Sequence, residues 1–253
     1  MNLPRLLSLF LLLVVAVSAA RADVTEQISR TYPLPADGVI RLENVNGNIT
    51  IIAWDRNEVS LEAEKRGRDE EDLKRITVDI DAQPGRLTVK ATIAKAPGGW
   101  LSGKGSRAAV RFELRVPRQA HLEQIGSVNA SINVEGVRGP MTLKAVNGAI
   151  RATDLAADTE IESVNGSITA EFASLEKVQK VDLESVNGRV NVTLPPDASA
   201  RIEARTTNGR TSIEQAITLK ESSRRKLSGS IGSGDGPLVR AETTNGSVSI
   251  RER

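Results

Sequence analysis

The residue types that most often carry chemistry are scarce in this sequence. There is no cysteine, which excludes a thiol nucleophile, a disulfide framework, cysteine-ligated zinc and the lipid-modified cysteine of a lipoprotein. His121 is the only histidine, so a histidine-built metal site cannot be assembled, and a Ser/His/Asp triad would have to use this one residue. It follows the strand-ending Pro117 and reads as a rim residue. Gly98-Gly-Trp-Leu-Ser-Gly103-Lys104 has the glycines and lysine of a phosphate-binding loop, but Gly105 stands where a Ser or Thr must hold magnesium, and no strand-loop-helix unit surrounds it. Gly232-Ser-Gly-Asp235-Gly236 has the composition of a calcium-binding glycine-aspartate repeat, a type of site that needs successive copies where this chain has one. No catalytic residue, metal or cofactor is assigned on these grounds.

The residues that do recur at fixed spacing are asparagine and glycine. One phrase appears seven times, typified by Ser163-Val-Asn-Gly-Ser-Ile-Thr-Ala170, with its Asn-Gly at Asn46-Gly47, Asn147-Gly148, Asn165-Gly166, Asn187-Gly188, Asn208-Gly209 and Asn245-Gly246 and an Asn129-Ala130 variant. From Ala130 onward the copies lie 18, 18, 22, 21 and 37 residues apart. The last gap is about two periods, as if one rung had lost its motif or become a loop. These asparagines fit a structural role, because Asn tolerates corner backbone and can hydrogen-bond along a stack. Several also satisfy Asn-x-Ser/Thr, a glycosylation signal only in a eukaryotic secretory context.

Apolar and polar residues alternate on both sides of each Asn-Gly, so each half reads as a half-buried strand. The inward parity changes between the halves: odd at Ile161 and Ser163, even at Val164, Gly166, Ile168 and Ala170. A corner must lie there. In a hairpin reading, Asn-Gly is a two-residue turn at positive φ. In a solenoid reading it bends one continuous coil, with coils stacked roughly 4.8 Å apart. A period of 18 to 22 residues with the same corner in every copy favours the solenoid.

Between the first two copies, Val59–Ala63, Ile76–Ile80, Leu87–Ala91 and Val110–Val116 also alternate as strands, and 69–75 reads as a helical turn or a charged loop. The expected organisation is a β region over 23–120 that caps the stack and a repeat solenoid over 121–253, one continuous all-β domain. The terminal Arg251-Glu-Arg253 would then discourage end-to-end pairing. Two Gly-rich segments, 96–106 and 221–237, read as loops, the second with the basic run Arg224-Arg-Lys226.

Residues 1–22 have the form of a secretory signal: Arg5, an apolar run from Leu6 to Val17, and Ala20-Arg21-Ala22. Without Arg5 and Arg21, the 34 basic residues of the chain fall into balance with its 32 acidic ones. A near-neutral exported chain makes nucleic acid a poor partner. Five aromatic residues remain beyond the signal (Tyr32, Trp54, Trp100, Phe112 and Phe172), so the core must be Val, Ile, Leu and Ala, as thin stacked layers prefer.

The recurring Val-Asn-Gly-x-Ile, the early Gly47-Asn-Ile-Thr-Ile-Ile-Ala-Trp54-Asp55, Leu114-Arg-Val-Pro117, and the closing Gly229-x-x-Gly-x-Gly with Thr243-Thr-Asn-Gly246 resemble the bacterial putative-adhesin family of β-strand-repeat proteins, a domain of unknown function. The likeness spans roughly 35–253. It implies an exported or membrane-tethered β-solenoid, in the periplasm or at the surface, without catalytic residues to carry over. The expected function is a non-catalytic binding or scaffold module for an unknown envelope protein or polymer. The alternatives are an envelope-stress accessory and a glycan-active stacked-coil enzyme.

Overall fold

The computed structural model describes residues 23–95, 107–214 and 216–253. The signal reading of 1–22, the loop reading of 96–106 and the phosphate-loop-like Gly98 to Lys104 lie outside the described residues.

The N-terminal part comprises β1 (Val24–Pro33), β2 (Val39–Asn46), β3 (Ile49–Trp54), β4 (Glu58–Gly67), the helix α1 (Glu70–Lys74), β5 (Ile76–Gln83), β6 (Arg86–Ile93) and β7 (Ala109–Pro117). The repeats follow as strand pairs: β8 (His121–Asn129) with β9 (Ile132–Glu135), β10 (Met141–Asn147) with β11 (Ile150–Leu155), and β12 (Thr159–Asn165) with β13 (Ile168–Phe172). Next come β14 (Lys180–Asn187) with β15 (Val190–Leu194), and β16 (Ala200–Asn208) with β17 (Thr211–Glu214). A hairpin of β18 (Thr218–Ser222) and β19 (Lys226–Ile231) precedes the last pair, β20 (Leu238–Asn245) and β21 (Val248–Glu252).

Each pair is one coil of a β-solenoid: its first strand lies in one sheet, the Asn-Gly turns the corner, and its second strand lies in the other. The first sheet runs β18-β19-β16-β20-β14-β12-β10-β8-β2-β6-β5 and the second β1-β4-β7-β3-β9-β11-β13-β15-β21-β17. The coils pair in parallel and in register, with Ile150 opposite Ile168 and Asn147 opposite Asn165. Identical aliphatics therefore stack on themselves. Ile132, Ile150, Ile168, Val190 and Val248 form one buried row, and Leu143, Ile161 and Leu183 another, all in one core with the N-terminal strands. Burial of such side chains at roughly 1.5–3 kcal/mol each is what holds a chain with few aromatics together.

Three expectations are corrected. The 37-residue gap is not a lost rung: β18 and β19 turn the chain back antiparallel along β16, and β20, the first strand of the last coil, then inserts between β14 and β16. Stack order thus departs from chain order, which copies of one motif cannot reveal. Within 221–237, residues 221–222 and 226–231 are strand rather than loop; Leu227 and Ile231 are buried and a Cβ on Gly229 would meet Thr218 O at 2.4 Å. Its glycine marks a close approach between strands. Finally, Arg251 and Glu252 lie in a strand flanked on both sides, and β17 forms the sheet edge instead.

Segment 69–75 is α1, capped by the Asp69 carboxylate accepting from Asp72 N at 2.9 Å. Among the described residues, no helix is long and apolar enough to cross a membrane.

Candidate functional site

The seven corners align down one edge of the stack. Each asparagine above Asn46 donates from Nδ2 to Oδ1 of the asparagine on the stack neighbour nearer β2: Asn129 to Asn46 at 2.9 Å, Asn147 to Asn129 at 2.9 Å, Asn165 to Asn147 at 2.9 Å and Asn187 to Asn165 at 2.8 Å. The ladder continues with Asn245 to Asn187 at 2.7 Å and Asn208 to Asn245 at 2.9 Å. It begins at Asn46, which donates to Ala108 O at 3.1 Å. Both amide ends are used, so one side-chain type repeated at strand spacing satisfies itself.

The glycines have a separate reason. Gly47 alone among the motif glycines has positive φ, at 104°. At Gly148, Gly166, Gly188, Gly209 and Gly246 the obstacle is the carbonyl of the coil beneath, which an added Cβ would approach to between 1.6 and 2.1 Å. The corner therefore uses glycine for close approach of stacked backbones, and the asparagines have ordinary negative φ. The positive-φ rationale of the hairpin reading does not apply to them. Ala130 replaces glycine on the coil above Gly47, where the backbone beneath takes that different φ.

The residue two before each asparagine is buried, and in four copies its hydroxyl bonds the same carbonyls. Ser163 Oγ donates to Gly148 O at 3.3 Å, Ser185 to Gly166 O at 3.0 Å, Thr243 to Gly188 O at 2.9 Å and Thr206 to Gly246 O at 2.9 Å. Ser127 Oγ has no hydrogen-bond partner among the described residues. The acceptor that the pattern assigns to it, Gly47 O, is taken by Asn44 Nδ2 at 2.6 Å.

The residue between, expected to point inward, points out. Val128, Val146, Val164 and Val186 are each about 40% exposed, and Val45 is half-buried. The parity flip spans the whole corner: Ser163 and Ile168 are buried while residues 164 to 167 are exposed or half-buried. In stack order the position reads Val45, Val128, Val146, Val164, Val186, Thr244, Thr207, so an apolar stripe runs five coils and ends where threonine takes over.

Beside this stripe lies an open groove of about 610 Å³. Its outer wall is the row Lys90, Glu43, Gly126, Lys144, Glu162, Glu184, and Gly126, with open space where a Cβ would be, forms a dent in it. Lys90 pairs with Glu43 at 3.2 Å and Lys144 with Glu162 at 3.0 Å. The Glu162 hydrogen bond holds the Lys144 ammonium above the ordinary lysine range. Such exposed pairs contribute about 0–1 kcal/mol, so an incoming charge can replace either partner.

His121, half-buried at the start of β8, donates only its backbone N–H to Gly38 O at 3.0 Å. Asp235 and Gly236 border a different concavity with Pro195 and Ser174. No group of three or more His, Asp or Glu residues that could hold a metal ion occurs among the described residues.

A family model, Toastrack DUF4097, matches residues 123–251, about half of the sequence and nearly all of the motif copies. The chain belongs to the Toastrack DUF4097 family. The Toastrack coils extend beyond the matched span, because β2 and β3 stack on β8 and β9 with the same corner. A crystal structure of a putative cell adhesion protein from Clostridium sporogenes ATCC 15579 is similar, with 13% identity and a TM-score of 0.55 over 92% of this chain and 100% of that one. A putative adhesin from Bacteroides fragilis NCTC 9343 also matches, with 13% identity and a TM-score of 0.32 over 90% of this chain and 97% of that one. The first likeness establishes the solenoid fold as one seen in crystals. No curated protein matches the chain.

Two features escaped the sequence reading. The valine stripe carried a signal, since valine precedes asparagine in five copies, but the alternation rule assigned it to the core. Arg189 and Arg210 share the position directly after the Asn-Gly, but the other copies carry Asn, Ser or Ala there and Arg224 lies outside the motif, so the repeat did not single them out.

Proposed function

We propose that the protein is an exported, non-catalytic binding module of the cell envelope, and that it holds an extended polypeptide segment of a partner protein along the valine groove. The observation that carries this reading is the contiguous exposed stripe from Val45 to Val186. Solvent-exposed valines are unremarkable singly, whereas four in register, continued by the half-buried Val45, form beside a groove a patch of the kind that partners cover. The outer wall mixes Lys90 and Lys144 with Glu43, Glu162 and Glu184. That mixture complements a polypeptide with both charge signs better than a uniformly charged polymer. The adhesion names of the similar structures are compatible with a binding role.

Export is supported by the sequence of residues 1–22 and is tested by cell fractionation with and without them. The partner is tested in cells with a photoreactive residue in place of Val146, compared with one in place of Thr169 on the other sheet. Protein adducts are expected at position 146 and not at 169, and Val164→Asp, one coil away, should remove them. Absence of adducts at 146, or equal labelling at both positions, would contradict the reading.

A further inference from the structure

The insertion of the last coil has a chemical consequence on the opposite sheet, independent of the valine groove. Arg189 and Arg210 occupy the same position of consecutive repeats, directly after the Asn-Gly. In a stack that followed chain order they would be adjacent. Because β21 lies between β15 and β17, Ser247 separates them instead: Val190 N donates to Ser247 O at 3.0 Å and Val248 N to Arg210 O at 3.0 Å. The two arginines are thus spaced by two strands, roughly 9.6 Å between backbones, across a floor of the small residues Ser247 and Ser249. Arg224, in the β18–β19 turn, is bound to the far side of β17 by Thr211 N donating to Arg224 O at 3.0 Å.

These three arginines line one concavity of about 530 Å³ together with Ser247, Ser249 and Ser212, and no carboxylate among the described residues borders it. None of the three forms an ion pair among the described residues, whereas Arg151 on the same sheet pairs with Glu171 at 2.8 Å and Lys226 in the adjoining hairpin with Glu221. Arg189 Nε reaches only the Ser247 hydroxyl, at 3.3 Å. Three like charges gathered without a counter-charge raise the local potential and favour an anion between them. The guanidinium fork matches a planar pair of oxygens on carboxylate or phosphate. Three forks plus serine hydroxyls offer more donors than the two oxygens of a carboxylate can accept, and a tetrahedral oxyanion can use them.

We propose that this arginine-serine trough binds a phosphate group, carried either on a lipid headgroup or on a soluble phosphate chain. Tripolyphosphate titrated into the full exported chain at low ionic strength, followed by calorimetry, should bind and weaken as salt is added. The variant Arg189→Ala/Arg210→Ala should lose at least about tenfold in affinity, and Arg210→Lys, which keeps the charge without the fork, an intermediate amount. Arg151→Ala, whose arginine is paired on the same sheet, should bind as the wild type. Flotation with vesicles of phosphatidylcholine and phosphatidylglycerol in equal parts, against phosphatidylcholine alone, separates the sources. Selective flotation that the double variant loses assigns a lipid headgroup, and tripolyphosphate binding without flotation assigns a soluble phosphate. Absence of both, or equal binding by wild type and double variant, overturns the proposal. The groove reading is unaffected by that result, since its own test lies on the other sheet.

Discussion

At the scale of the residue, the corner motif joins two requirements that look like one in sequence. Asparagine supplies a ladder and glycine supplies clearance. Gly188→Ala would drive a Cβ to 2.1 Å from the Gly166 carbonyl, an overpacking of backbone expected to cost about 1–3 kcal/mol or more. Gly126→Ala, with open space around the new methyl and no positive φ, should be neutral or stabilise by up to about 1 kcal/mol through the unfolded chain. Urea denaturation of the two variants measures the contrast. Asn165→Ala removes one donated and one accepted ladder bond, about 1 kcal/mol each at most in so exposed a place, whereas Asn208→Ala, at the end of the ladder, removes one. Melting curves should rank Asn165→Ala as the more destabilised, and equal melting would mean that the ladder contributes nothing. The recurrence of Asn-Gly was plain in the sequence. Why each residue is there was not, because turn chemistry and stacking select the same dipeptide.

At the scale of the element, alternation located the strands, including β4, β5, β6 and β7 outside the repeat. It failed where the chain bends. A period-2 rule assigns Val164 inward with Ile168, yet the corner spends four residues outside before the core resumes. Val164→Asp should therefore change stability by no more than about 0.5 kcal/mol, while Ile168→Asp, which buries an unpaired carboxylate, should prevent folding. Circular dichroism of the two variants distinguishes the observed corner from the simple alternation. On the outer face of the same sheet, Arg41 Nε meets Glu123 at 2.6 Å across β2 and β8. The hydrogen bond from Arg41 holds the Glu123 carboxyl below the ordinary glutamate range. Its contribution to stability is present above the ordinary glutamate pKa of about 4.3 and fades as pH falls through the lower folded value. The melting difference between wild type and Glu123→Gln should accordingly be seen at neutral pH and shrink as the pH is lowered below the ordinary glutamate range.

At the scale of the whole molecule, the solenoid follows from period and corner, and both are legible. The order of the coils is not. Seven near-identical motifs pair equally well in many permutations, and what decides the actual one is the hairpin of β18 and β19. Leu227 and Ile231 give that segment a buried face opposite Ala204 and Ala200, and it returns the chain to the gap beside β14. Glycine and serine in 228–236 masked this as a loop. The arginine-serine trough exists only because of that permutation, which no single repeat encodes.

The arrangement is tested most directly by disulfide trapping in this cysteine-free chain. Asp182 on β14 is the register partner of Arg240 on β20, and Arg240 in turn of Glu203 on β16. Neighbouring strands bring Cα atoms within the 4.4–6.8 Å that a disulfide spans, and strands two apart do not. Under mild oxidation the pair Asp182→Cys/Arg240→Cys should close, and Asp182→Cys/Glu203→Cys should remain reduced. Closure of the second pair with the first left open would mean that the coils stack in chain order and would contradict the inserted last coil.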